Sequence, residues 1–185
     1  MSGHEGALLT LEPLIEAVRD AAESAGWALS GLQKTTSHEY AGRWQGESAR
    51  SAYLFFHRPA GEDGVSVECF LDETTRRLEG NLSLVLEGPT LAGLGDARAT
   101  LAAVAAAAHR RLTPSGRARV SLKLRMDDAA DPVDDTGTEI RVKLGVGEAA
   151  LRAGADAVRA ELGVALRAFE RLLEDPAFAR LGEGS

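Results

Sequence analysis

The strongest constraint on the fold of this chain is a set of short segments in which apolar and polar residues alternate. In one segment the apolar residues fall at odd-numbered positions: Val65, Val67, Cys69 and Leu71. In the next they fall at even-numbered positions: Leu78, Leu82, Leu84 and Leu86. A period of two is typical of a strand with one buried face. Because the connection between the segments is too short for a crossover, the pattern predicts neighbouring antiparallel strands.

The segments upstream of Val65 extend this run of strands. Residues 51–58 are rich in aromatic side chains and end at a Pro- and Gly-containing turn, residues 59–64. We expect two more strands at residues 27–34 and 36–44, although one broken strand also fits this interval. The sheet is therefore predicted to begin with an antiparallel meander of three to five strands.

Helical periodicity appears on both sides of this meander. A first helix is predicted over residues 13–25, with a proline in its first turn and a glycine just past its end. Asp96 is the predicted N-cap of a second, alanine-rich helix, which ends before Pro114. A third helix is predicted over residues 148–174 as a single element roughly 40 Å long.

Two further alternating segments lie between the second and third helices. They occupy residues 119–126 and 140–144 and predict a hairpin around an acidic loop, residues 127–136. The resulting order is α-β(3 to 5)-α-β-β-α. This order predicts an α+β protein with an antiparallel sheet and with its helices on one face.

The sequence contains no second core pattern, linker or repeat. We therefore expect residues 1–185 to form a single domain whose core spans about 13–174. The ends, residues 1–10 and 176–185, are expected to be flexible tails.

Residues suited to catalysis or metal binding are few and scattered. The four histidines do not fall at metal-ligand spacing, and Cys69 shares its strand face with apolar residues, which predicts a buried thiol. The aspartates of the 127–136 loop lack the central glycine and closing glutamate of an EF-hand. We expect a protein that is not an enzyme, with no catalytic residue, no metal site and no cofactor.

The charges of the chain are unevenly distributed. A net charge of −7 argues against a protein that coats nucleic acid. The predicted hairpin nevertheless carries basic side chains at positions that share one face: Arg117, Arg119, Lys123, Arg125, Arg141 and Lys143. This face is either a solvated outer surface or a docking surface for an acidic segment of a partner, or for phosphate.

The location of the protein is expected to be cytoplasmic. No apolar run approaches the roughly 20 residues that a membrane span needs. Residues 1–11 lack the basic and apolar regions of a secretory signal. The excess of arginine (18) over lysine (3) is typical of a GC-rich bacterial genome and lowers the weight of any single arginine.

The predicted order of elements resembles that of the class I type III secretion chaperones and of the YbjN-like bacterial proteins. The resemblance covers residues 13–173 and is one of topology, although those chaperones typically have three strands before the second helix. It implies a non-enzymatic homodimer that binds an extended segment of a client protein. Stress-response or DNA-repair clients would be compatible, and nucleic acid would be reached through a DNA-binding client.

Two other functions stay open at this point. A helix-grip domain would enclose a small molecule in an apolar cavity between a curved sheet and the last helix. Its predicted lining is aromatic: Tyr53, Phe55, Phe56 and Phe70. Alternatively, the basic hairpin face would bind nucleic acid in a salt-sensitive manner through Arg119, Lys123 and Arg125.

Overall fold

The computed structural model describes residues 11–37, 49–59, 64–74, 77–91, 96–112, 118–123 and 138–181. The helices in this part of the chain are α1 (Leu11–Ser24), α2 (Ala97–Leu112), α3 (Glu148–Ala153), α4 (Ala155–Leu173) and α5 (Pro176–Ala179). The strands are β1 (Ala28–Ser37), β2 (Ala49–His57), β3 (Val65–Thr74), β4 (Leu78–Glu87), β5 (Arg119–Lys123) and β6 (Glu139–Gly145). The predicted α+β class is confirmed.

The described strands form one antiparallel sheet in the order β1-β2-β3-β4-β6-β5. Strands β1 to β4 are the predicted meander, and β5 and β6 are the predicted hairpin. The hairpin joins the meander through β6, which pairs with β4. The acidic loop at residues 127–136 lies outside the described residues.

The predicted break between residues 27–34 and 36–44 is wrong. Strand β1 continues through Thr36, which pairs with Arg50 of β2, while residues 38–44 lie outside the described part of the chain. Four described strands therefore precede α2. The register shifts between Leu29 and Gly31, and this bulge interrupts the period of two from which strand limits are read.

One face of the sheet is buried beneath the helices. Its side chains come from alternate strand positions and are at most 2% exposed: Leu54, Phe56, Val67, Cys69, Leu84, Val142 and Leu144. Helix α1 packs against α4 and β2, while α3 packs against β4 and α2 against β5. Burying one such side chain contributes about 1.5–3 kcal/mol, so this face is the main source of stability.

The long C-terminal helix predicted over residues 148–174 is divided into two. Helix α3 ends at Ala153 and α4 begins at Ala155, with Gly154 between them at φ +100°. Residues with a Cβ rarely adopt this backbone conformation, so the glycine permits the break. The predicted single element of 40 Å is therefore wrong, and α4 alone spans about 28 Å.

Two capping aspartates define helix starts. The Asp96 carboxylate accepts hydrogen bonds from the backbone N–H groups of Arg98 and Ala99, as predicted. The Asp175 carboxylate caps α5 in the same way, with the N–H of Ala177 as donor.

The core also extends beyond its predicted limit at residue 174. Phe178 and Leu181 are both buried, so residues 176–181 are packed against the domain. The expectation of a flexible tail is wrong for these six residues. A segment this short is too brief to show helical periodicity in the sequence.

Candidate functional site

The face of the sheet opposite the helices carries the candidate site, and we call it the open face. Its side chains alternate along each strand with those of the core face, and the strand register aligns them in rows across the sheet. One row runs from β2 to β6 as Tyr53, Phe70, Asn81 and Gly145. The adjacent row runs from β2 to β5 as Phe55, Glu68, Ser83, Lys143 and Arg119.

The half of the open face on β2 and β3 is aromatic. The rings of Tyr53 and Phe70 lie 4.5 Å apart between centroids with a tilt of 38°. Tyr53 is 42% exposed, the highest value among the described phenylalanine, tyrosine and tryptophan side chains. Phe55 lies beside them and leans over Gly31, where a Cβ would lie 3.3 Å from its ring.

The predicted aromatic lining of a helix-grip cavity is wrong. Phe56 lies on the core face with no exposed surface, opposite Val67. Tyr53, Phe55 and Phe70 lie on the opposite, open face. Residues next to each other along a strand point to opposite faces, so a run of consecutive aromatic residues cannot line one cavity.

Arg141 links two carboxylates in the middle of the open face. It donates hydrogen bonds to the Glu68 carboxylate at 2.6 Å and to the Glu139 carboxylate at 3.3 Å. Strand β4 lies between β3 and β6, so the Arg141–Glu68 pair crosses over β4. There Ser83 and Val85 are at most 1% exposed although they belong to the open face. The ion pair therefore covers the centre of this face.

The pKa values of this cluster follow from burial and charge. Burial opposes the charge of Arg141, but its hydrogen bonds to Glu68 and Glu139 outweigh that effect and raise its pKa. Glu87 lies directly opposite Glu139. Burial, followed by the negative charges of Glu139 and Glu68, raises the pKa of the Glu87 carboxyl. The charge of Arg141 is thus neutralised by carboxylates of its own chain.

The other described basic residues of the hairpin have different surroundings. Lys123 lies directly opposite Glu139 on the neighbouring strand. Arg119 and Lys143 lie directly opposite each other, and neither has an ion pair with a described carboxylate. Four of the six predicted site residues therefore share the open face: Arg119, Lys123, Arg141 and Lys143. The remaining two, Arg117 and Arg125, lie outside the described residues.

A concavity of about 520 Å³ opens beside Arg119 and Lys143. Its lining includes Phe70, Asn81, Arg119 and Lys143, together with Arg77, Glu79 and Glu148. Gly145 also lines it and contributes no side chain, and a Cβ there would meet no atom within 4 Å. The sequence analysis did not identify Asn81 and Gly145 as site residues. Gly145 could have been recognised, because a glycine that ends an alternating strand at an open-face position leaves a gap in the row of side chains.

The cysteine has the predicted environment. Cys69 is 1% exposed, and burial raises the pKa of its thiol to about 12. Such a thiol carries almost no thiolate near neutral pH. Elsewhere within the described ranges, no three His, Cys, Asp or Glu side chains are grouped closely enough to hold a metal ion.

Comparison with known proteins leaves the chain without a match: no family model, curated protein sequence or solved structure is similar to it. Among the described residues, no helix combines the length and apolar character needed to cross a membrane.

Proposed function

We propose that this protein is a non-enzymatic, chaperone-like adaptor of the bacterial cytoplasm that binds an extended segment of a client protein on its open face. The observation that carries the proposal is the pairing of two features on this face. A ring pair, in which Tyr53 is exposed and Phe70 half-buried, lies on one half. Arg119 and Lys143, which have no ion pair with a described carboxylate, lie on the other half. Exposed tyrosine and arginine are enriched at protein–protein interfaces.

The spacing of the open face suits an extended peptide. Side chains on one face of a strand recur about every 7 Å, and a bound extended peptide presents its own side chains at the same interval. The rows from Tyr53 to Gly145 and from Phe55 to Arg119 would thus meet successive side chains on one face of a client segment.

The proposed adaptor is a homodimer, as the resemblance to class I type III secretion chaperones and YbjN-like proteins implies. We assign the dimer contact to the outer edge of β1. Within the described residues β1 pairs only with β2, and Leu32 on this strand is 41% exposed. Two copies of an edge strand related by a two-fold axis present the same surface to each other.

Membership of this chaperone-like group forms part of the proposal. It is supported by the element order, in which a helix, a meander, a helix, a hairpin and closing helices follow one another. Four described strands precede α2, one more than those chaperones typically have. The proposed clients act in the stress response or in DNA repair.

Site-specific photo-crosslinking in the native host tests client binding. A photoreactive phenylalanine analogue at Tyr53, on the open face, should form a discrete crosslinked product with a client. The same analogue at Arg167, exposed on α4, is the matched control and should not form it. Equal products at both positions, or none at position 53, would contradict client binding on the open face.

The dimer is tested separately by sedimentation equilibrium. The wild-type protein should have twice the mass of one chain, and Leu32→Glu should shift it toward the monomer. A monomeric wild type at tens of micromolar would remove the dimer from the proposal without affecting the crosslinking result.

A further inference from the structure

Arg119 and Lys143 are unusual in their placement on the open face. Like charges directly opposite each other on neighbouring antiparallel strands destabilise a sheet. Arg119 and Lys143 nevertheless occupy such a pair, while Arg141 and Lys123 of the same hairpin face carboxylates. Within the described residues no carboxylate forms an ion pair with Arg119 or Lys143. An anion placed between them would relieve their repulsion.

The space for such an anion lies next to the two cations. The concavity of about 520 Å³ is bordered by both cations and continues over Gly145 to the ring of Phe70. Its lining also contains Arg77 and Glu79, which form an ion pair with each other, and Glu148, which is paired with Arg152. Both lining carboxylates thus have their own arginine, and Arg119 and Lys143 have no ion pair with a described carboxylate. At Gly145 no side chain fills the space, and a Cβ there would meet no atom within 4 Å.

We propose that Arg119, Lys143 and this concavity bind one carboxylate of a client segment together with an apolar side chain that follows it. The inference rests on the proposed function and specifies the kind of segment that is bound. The carboxylate lies between Arg119 and Lys143, and the apolar side chain lies over Gly145 against Phe70.

The register of β6 sets the spacing of this client segment. Lys143 and Gly145 are two residues apart on one strand, which separates their positions on the open face by about 7 Å. An extended peptide running along β6 spans the same distance between residues i and i+2. The preferred segment therefore has an acidic residue and, two positions later, an apolar one.

The surrounding charge favours a single carboxylate over a polyanion. The open face also carries Glu68, Glu87 and Glu139, and the whole chain has a net charge of −7. A nucleic acid crossing this face would bring its phosphates close to those carboxylates, whereas one carboxylate held at Arg119 and Lys143 would not. Among compact anions, phosphate is the alternative that the test must separate.

The test uses fluorescein-labelled nine-residue peptides with blocked ends and Gly/Ser flanks. Their central triplet is Glu-Ser-Phe, Gln-Ser-Phe, Glu-Ser-Ser or phosphoserine-Ser-Phe. Fluorescence anisotropy at low salt should give the Glu-Ser-Phe peptide at least fivefold tighter binding than each of the other three. Equal binding of the Glu and Gln peptides, or tightest binding of the phosphopeptide, would overturn the carboxylate assignment.

Three variants locate the binding. Arg119→Glu should weaken binding of the Glu-Ser-Phe peptide at least fivefold. Gly145→Val should do the same by filling the concavity, and the free space at this position allows the variant to fold. Arg171→Glu changes the net charge by the same amount as Arg119→Glu but lies at an exposed position of α4, so its binding should stay within twofold of the wild type. Thermal unfolding checks that all three fold.

The outcomes separate this inference from the proposed function. If Arg119→Glu and Gly145→Val bind the peptide as well as the wild type, the carboxylate site is wrong. The proposed function would still stand if a client crosslinks at position 53 in these variants. No crosslink at position 53 together with selective binding of the Glu-Ser-Phe peptide would contradict the adaptor function and leave the site intact.

Discussion

Replacing Arg141 with methionine should destabilise the protein at neutral pH, because it removes the positive charge that forms ion pairs with two carboxylates on the open face. Methionine retains the apolar stem of a side chain that lies opposite Val85 of β4, and removes the guanidinium. Glu68 and Glu139 would then lose the cation that neutralises both of them. Glu87, whose pKa these carboxylates already raise, would then lie near two carboxylates that have lost their guanidinium partner.

The expected loss follows from how far these groups are buried. The side chains of Arg141, Glu68 and Glu139 are 29%, 25% and 23% exposed. Exposed ion pairs contribute about 0.2–1 kcal/mol, whereas removing one partner of a fully buried pair costs about 3–5 kcal/mol. Partial burial places Arg141→Met between these limits, at about 2 kcal/mol lost from the free energy of unfolding.

The loss should depend on pH with a definite sign. Loss of the guanidinium removes a positive charge that lowers the pKa of Glu87, so this pKa, already raised, moves further above its value in the unfolded chain and the folded variant binds a proton more readily. Its deficit is therefore greatest at pH 7 and shrinks as the pH falls through the raised pKa of Glu87. Urea unfolding at pH 7 and pH 5 measures the change.

Two further variants serve as controls for this assay. Arg141→Met combined with Glu68→Gln should recover part of the loss, with a coupling energy of about 1–2 kcal/mol. Arg152→Met removes an exposed helical ion pair with Glu148 and should cost only about 0.3–0.5 kcal/mol. A loss for Arg141→Met no larger than for Arg152→Met, or one that is identical at both pH values, would refute the reasoning.

The same structure predicts the outcome of four other experiments, three with variants and one with the unchanged protein. Glu87→Gln should raise the free energy of unfolding by about 0.5 kcal/mol at pH 7, because it removes a charge directly opposite Glu139. That gain should disappear as the pH falls through the raised pKa of Glu87. Asp175→Ala should cost about 1–2 kcal/mol in chemical denaturation, since the α5 cap and two ion pairs with α2 are lost. The hydrogen bond from the α5 backbone lowers the pKa of Asp175, so this deficit should persist at pH 5 and shrink only below about 3.8. Cys69 should react with a thiol reagent only at the rate of unfolding, and rapid labelling of the native protein would contradict its burial. Leu84→Ala should lower the free energy of unfolding by about 2–5 kcal/mol in urea titration, because it opens a cavity in the core face.

Local patterns predicted most of the secondary structure. The alternation around Val67 and Leu84 predicted β3 and β4, because a strand with one buried face imposes a period of two on its own sequence. Asp96 predicted the start of α2, because the cap bonds only to residues two and three positions later. The bulge before Gly31 and the break at Gly154 were missed, since a glycine alone does not show whether the chain bends there.

The candidate site was predictable only in part. Arg119, Lys123, Arg141 and Lys143 were predicted to share one face, because alternate residues of a strand point to the same side of the sheet. This alternation could not show which of these cations is neutralised by a carboxylate. Glu68, which binds Arg141, lies 73 residues away in the chain, and no sequence pattern links them.

The sequence by itself determined the class of fold, the alternation that assigns each strand residue to a face, and the basic parity of the last hairpin. These depend on neighbours within a few residues along the chain. Only the tertiary structure decided that β6 pairs with β4. This pairing brings Glu68 into contact with Arg141, and it places Phe70 and Lys143 in the lining of the same concavity. Pairing between distant strands is set by packing of the whole core. Only the folded chain therefore shows that Arg141 is paired with Glu68, whereas Arg119 and Lys143 have no ion pair with a described carboxylate.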